Sequence, residues 1–259
     1  RMRIDRQRAE DAFRAYVSRY NDQDEKVCLK IEHTFRVAGL CDHLASCCGL
    51  EGEERDLIWL SGLLHDVGRF EQLKRYGTFI DADSIDHAAL GAEILFGEGQ
   101  IRKYAEDESE DGLLRTAVFY HSAYRLPEGL DDRTLRCCNI LRDADKIDIL
   151  KVNVDFSPED IYNVTSEELR ACAVTEAVLE DLYAGRAVLR SKKRTAVDHL
   201  VGHISLIFEL VYPESLRVVA RQGYLEKLMQ FPSDNPVTRE QFAGIRTYVE
   251  EYLDKKAGL

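Results

Sequence analysis

"WLSGLLHDVGRF", residues 59–70, runs an apolar helical stretch straight into His65-Asp66, with Gly68 following at once. An imidazole beside a carboxylate at the end of the most hydrophobic segment is costly to bury unless a partner compensates both groups. A metal ion accepts both ligand types, so the stretch raises a metal site as the first expectation. Reading outward from it, apolar residues recur at spacings of three and four. Ala9, Ala12, Phe13, Tyr16, Val17 and Tyr20 draw one stripe, and Ile31, Phe35, Val37, Leu40 and Leu44 a second.

These periods predict helices over about 6–20, 26–47, 53–65, 84–96, 110–122, 132–151, 166–184, 195–211, 214–221 and 238–255. Gly68 reads as the stop of the third and Ser84 as the N-cap of the fourth. No stretch alternates with period two, and all five prolines fall between helical segments. The expected fold class is all-α, a single domain over 1–259 with a core at about 25–150 and a helical extension at about 151–259.

The net charge of -12 argues against a broad nucleic-acid surface, which needs clustered basic charge. The longest apolar run, Leu57 to Leu64, is too short to span a bilayer, so no membrane partner is expected. The charged start "RMRIDRQRAEDAF" has no signal-peptide pattern, and seven cysteines without a CxxC pair suit reduced thiols. A cytoplasmic location follows as an expectation, with a homo-oligomer left open.

His33, His65-Asp66 and Asp145, the last within "RDADKIDIL", stand in the order H…HD…D. This order resembles the HD superfamily of metal-dependent phosphohydrolases. "LLHDVGRF" is similar to the family's "LHDIGK" segment, with Arg69 in place of Lys, and "ADKID" to its closing "ADKLD". The resemblance covers about residues 25–150. His87, 22 residues after His65, and His121, 24 before Asp145, extend the order to H…HD…H…H…D, that of the dinuclear subset.

The resemblance implies an HD-domain helical bundle with additional C-terminal helices. It also implies one metal held by His33, His65, Asp66 and Asp145, and a second by His87, His121 and a bridging Asp66. Imidazole and carboxylate donors suit iron, manganese, zinc or nickel, with magnesium disfavoured. The implied activity is hydrolysis of a phosphate ester or anhydride, a nucleotide or dinucleotide by family analogy, through a metal-activated hydroxide. A small anionic substrate needs positive charge, for which Arg69, Lys74, Arg75 and Lys146 are candidates, with Asp66, Arg69 and Lys146 the catalytic set.

Two other readings stand beside this one. Inositol oxygenase and phosphonate-cleaving oxygenases use the same ligand order around a di-iron pair, whereas a ligand-sensing module would show a degraded set, and here all six positions are occupied. The paired histidines and GYP segment of the HD-GYP phosphodiesterases are missing here, since Ser122 follows His121 and "RLPEGL" lies in the GYP region. That argues against cyclic dinucleotides. The loop "KRYGTFIDADS", 74–84, reads either as a lid or as a connection. His43 is expected to pack or face water, His199 and His203 to pack within their helix, and "RSKKRTAVD", 190–198, to be an exposed helix start.

Overall fold

The computed structural model describes residues 3–258; Arg1 and Met2 of the charged N-terminal stretch lie outside the described residues, as does Leu259. Every regular element among the described residues is helical. Two compact units result, the first ending at Asp145 and the second beginning at Lys146. Among the described residues no helix is long and apolar enough to cross a membrane.

The first unit contains α1 (Arg6–Val17), α2 (Glu25–Cys47), α3 (Gly52–Leu64), α4 (Val67–Tyr76), α5 (His87–Ala92), α6 (Asp111–Tyr120) and the start of α7 (Asp132–Asp155). Asp24 begins α2 by accepting from the Lys26 amide at 2.9 Å, a side-chain cap on an otherwise orphaned donor. Along α2, Val37, Ala38, Cys41, Leu44 and Ala45 are buried. On α3 the whole stretch Leu57–Leu64 is buried, which explains a helix too apolar to show one clean stripe. The two helices close on small residues: a Cβ on Gly62 would meet the Ala38 Cα at 2.8 Å.

Gly68 was expected to stop α3, but α3 ends at Leu64 and α4 starts at Val67, with Gly68 inside it. The glycine answers a close approach instead. A Cβ there would lie 2.2 Å from the His87 carbonyl and 2.7 Å from the Gly91 amide, so α4 and α5 touch backbone to backbone. An aromatic group fixes the other side of α4. Phe13 and Tyr16 from α1 set their rings 6.0 and 6.1 Å from Phe70, and Tyr16 donates its hydroxyl to the Val67 carbonyl at 2.8 Å. Fully burying rings such as Phe13 and Phe70 contributes about 1.5–3 kcal/mol each.

The helix expected over 84–96 is shorter and starts later. Asp86, not Ser84, caps α5, accepting from the Ala88 and Ala89 amides, and a wider turn at Glu93–Gly97 follows. Ser84 instead donates to the Ile80 carbonyl at 2.8 Å, within the loop.

The second unit carries the rest of α7, then α8 (Pro158–Tyr162), α9 (Ser166–Ala171), α10 (Glu176–Tyr183), α11 (Ala196–Ile204), α12 (Pro213–Gln222), α13 (Tyr224–Met229) and α14 (Pro236–Ala257). The continuous helix expected over 166–184 is broken between Ala171 and Glu176, because Thr175 donates its amide and hydroxyl to Asp198. Asp198 is fully buried and also accepts from the Arg194 and Thr195 amides at 2.7 and 2.9 Å. The basic stretch at 190–198 is thus partly turned inward, and Lys192 reaches the buried Asp181 at 2.7 Å. His199 and His203 stack on the Tyr162 ring, each centroid 5.4 Å away, and His203 Nδ1 lies 2.8 Å from the Tyr162 hydroxyl.

Candidate metal centre

Six helices, α2 to α7, bring the six sequence-selected residues to one place in the first unit. His33 comes from mid-α2, His65 and Asp66 from the α3–α4 junction, His87 from the first residue of α5, His121 from the end of α6, and Asp145 from α7. All six are buried, none more than 9% exposed over the whole residue, although four are imidazoles and two carboxylates.

The donor atoms form two overlapping sets about the Asp66 carboxylate. Its Oδ2 lies 3.4 Å from both His33 Nε2 and His65 Nε2. Asp145 Oδ1 completes that set, 3.1 Å from His33 Nε2 and 3.4 Å from His65 Nε2. The other oxygen, Oδ1, faces His121 Nε2 at 3.4 Å and His87 Nε2 at 3.6 Å, and those two nitrogens are 3.0 Å apart. Bonds of about 2.0–2.2 Å to a shared ion put neighbouring ligand atoms about 2.8–3.6 Å apart, from octahedral to tetrahedral geometry. Both sets meet that condition.

Tautomers point the same way. His65 Nδ1 lies 2.6 Å from the Gly62 carbonyl and His121 Nδ1 2.7 Å from the Val118 carbonyl. A carbonyl only accepts, so each Nδ1 carries a proton and each Nε2 is the ring atom turned towards the carboxylates. His65 and His121 are each the first residue past their helix, so the acceptor is the helix's own carbonyl three residues back. His87 Nδ1 is held by Asp81 Oδ2 at 2.7 Å, which protonates it there as well. His87 Nε2 and His121 Nε2 therefore face each other at 3.0 Å, both turned to Asp66 Oδ1, an arrangement a shared cation would satisfy.

The electrostatics agree. Burial alone would raise Asp66 and Asp145, yet the surrounding imidazoles, and Lys30 at Asp66, hold both well below the usual carboxylate range. Burial would lower His65, but the charge of Asp66 and the hydrogen bonds to Asp145 and Asp66 push it up to about 10. Burial, with the nearby Arg69 charge, takes His87 down to about 4, so its ring is neutral at ordinary pH. Two ionised carboxylates among buried rings make a site that demands positive charge, and the donor set fits a transition metal.

The cationic candidates divide. Arg69 Nη1 donates to Gln72 at 2.9 Å, to Asp81 at 3.0 Å and to the Phe79 carbonyl. Its Nε is buried without a partner and lies 4.0 Å from Asp66 Oδ1. Lys74 and Arg75 are exposed on the next turn of α4, the first over the Tyr20 ring and the second paired with Glu71. Neither side chain contacts the six. Lys146 follows Asp145 directly and is half-buried. His43 is exposed, 3.7 Å from Cys47 Sγ.

Three further residues escaped the sequence. Asp81 orients His87, and it belongs to the loop read only as a lid or a connection. Arg142 donates to the Tyr120 and His121 carbonyls at 2.7 and 3.4 Å, clamping the turn that carries His121. Lys30 donates to Asp66 Oδ2 at 3.2 Å. Only Lys30 had a usable signal: it precedes His33 by three residues on one helix, hence on the same face.

Residues 31–150, the segment that holds this centre, match the family model of the HD domain. HD domains bind divalent metals and as a class are metal-dependent phosphohydrolases. Over 100 residues the chain is 27% identical to the 3'3'-cGAMP-specific phosphodiesterase 1 of Vibrio cholerae serotype O1, a stretch that is 35% of this chain and 23% of that protein. The chain therefore matches less than a quarter of that relative's length. No solved structure matches.

Proposed function

We propose that the protein is a metal-dependent phosphohydrolase whose HD segment holds two divalent transition ions. His33, His65, Asp66 and Asp145 would hold one ion, and His87, His121 and the second oxygen of Asp66 the other. The observation that carries this reading is the split of one buried carboxylate between two groups of inward-facing Nε2 atoms. When bound, such a pair supplies Lewis acidity and a nucleophilic hydroxide at neutral pH.

The chain's own groups do the rest. Asp66 is held between the two donor sets by its position at the α3–α4 junction, and Asp145 balances charge in the first set. The Nδ1 bonds of His65, His87 and His121 keep their rings oriented without rearrangement during the reaction. Arg69 has one buried donor, Nε, left for a phosphate oxygen beside Asp66. Lys146, next to Asp145, remains a proposed contact to substrate; Lys74 and Arg75, directed elsewhere, recede to a role in the local charge of α4. The C-terminal helices serve in this reading as an extension of the HD segment.

The substrate class is a small phosphate ester or anhydride, and a nucleotide or dinucleotide within it. The activity for which the Vibrio relative is named favours a phosphodiester. The absence of a paired histidine and a GYP segment after His121 separates this chain from cyclic dinucleotide enzymes of the HD-GYP type.

The test is metal content of anaerobically purified protein, combined with a chromogenic phosphodiester and a nucleotide panel. Two ions per chain with activity lost in Asp66→Ala supports the proposal. Two irons, no hydrolysis and substrate-dependent oxygen uptake would replace it with a di-iron oxygenase. Absence of any metal would sink both.

A further inference from the structure

Lys30 was not among the candidate site residues, yet it is the side chain most directly poised on the centre. From α2, one turn before His33, its ammonium lies 3.2 Å from Asp66 Oδ2, and the side chain is 14% exposed. The side chains of Asp145, Arg69 and Asp81 also reach solvent, at 12%, 17% and 23%, whereas the imidazoles are 4% exposed or less. Lys30 is thus one of the groups through which the centre meets solvent.

Two features make Lys30 more than a counter-charge. Its carboxylate partner is the same Oδ2 that faces His33 and His65, an oxygen the proposed function assigns to a metal. An oxygen engaged by a dication has little left for an ammonium, and the ammonium then needs another anion. The second feature is Phe79. Its ring sits 5.1 Å from the Lys30 ammonium and 5.7 Å from the Arg69 guanidinium, so one aromatic side chain spaces two cations on opposite oxygens of Asp66. A ring face attracts a cation but does not neutralise it.

We infer that Lys30 binds a non-bridging phosphate oxygen of the substrate, opposite the Arg69 Nε. Lys30 on the Oδ2 side and Arg69 on the Oδ1 side would then flank a phosphate along the axis of the two donor sets. The ligand chemistry is a phosphate mono- or dianion, bound by charge-assisted hydrogen bonds. This deepens the proposed function and rests on it for the metals.

The experiment uses the metal-loaded full chain and inorganic phosphate as the probe. Lys30→Met keeps the stem over Phe79 and removes the charge, and Lys30→Arg restores a cation. Metal content is measured first, then phosphate affinity by calorimetry, then kcat and KM on a chromogenic phosphodiester. The expected result is full metal content in both variants, phosphate binding weakened at least about tenfold in Lys30→Met, and substantial recovery in Lys30→Arg. Unchanged phosphate affinity in Lys30→Met overturns the inference. So does loss of metal in that variant, which would make Lys30 a support for Asp66. Wild-type protein that takes up metal but binds no phosphate overturns it as well. Wild-type protein that binds phosphate but cleaves no ester defeats the hydrolase reading alone, since phosphate affinity still judges Lys30.

Discussion

Asp81 Oδ2 lies 2.7 Å from His87 Nδ1, and this contact decides which nitrogen of His87 faces Asp66. Asp81 is itself held by Arg69 at 3.0 Å and by the Gln72 amide at 2.8 Å, so the imidazole is anchored to α4 as well as to its own helix.

Replacing that carboxylate should loosen the ring without touching a donor atom. In Asp81→Ala the affinity for the ion in the His87 and His121 set is expected to fall about 10–100-fold, with the other set less affected. A metal titration with two resolvable binding events checks this. Equal loss at both events would mean that Asp81 supports the fold rather than the ring.

Gly68 has no room for a methyl group, because its Cβ would meet the His87 carbonyl at 2.2 Å. Gly68→Ala is expected to force α4 away from α5 and to destabilise the protein by about 3 kcal/mol. Denaturant unfolding measures the cost. A variant as stable as wild type would show that these helices are not in backbone contact in solution.

Chelation should act on stability as well as activity. Ions that bind the folded chain alone stabilise it by about 2.7 kcal/mol at a free concentration 100 times Kd. A dialysed, chelator-treated sample is therefore expected to melt several degrees lower, and added manganese, iron or zinc to restore the melting temperature. No shift with any divalent ion would contradict the proposed centre.

The second unit offers a pH test remote from the metals. Burial would raise Asp198, but the Thr175 hydroxyl and the amides of Arg194, Thr175 and Thr195 keep it below its ordinary value. Its unfolded-state pKa is about 3.9. The unfolded chain therefore takes up the proton first. The stabilisation is complete above about pH 4 and is lost as pH falls towards the folded-state value. Asp198→Asn should cost about 2–3 kcal/mol at pH 7 and distinctly less near pH 3. A gap of the same size at both pH values would rule out the carboxylate as its source.

Much of this could be read from the chain, and the failures share a cause. The helix class followed from the spacing of Phe13, Tyr16, Val37 and Leu44, which reflects burial of one face. The ligand candidates followed from buried-looking polar residues in an order that a family resemblance made specific. Gly68 misled because a glycine that ends a helix and a glycine that admits a neighbouring backbone look alike in one dimension. Ser84 and Asp86 both make acceptable caps, and only the packing of α5 against α4 selects the second. Asp81 and Arg142 act through distances between elements, which spacing along the chain does not encode, whereas Lys30 was marked by its place one turn before His33.

His65 and His121 share a device whose consequence reaches past this centre. Each ring is steered by a carbonyl of the helix it terminates, Gly62 for one and Val118 for the other. A main-chain oxygen survives any side-chain replacement at its own position. The aim of these two rings is thus written into chain direction rather than into residue identity, and drift at positions 62 and 118 can alter packing while leaving the steering atom in place. His87, guided by an acidic side chain that one base change can delete, has no such inheritance, which makes the half of the centre it serves the more evolvable one.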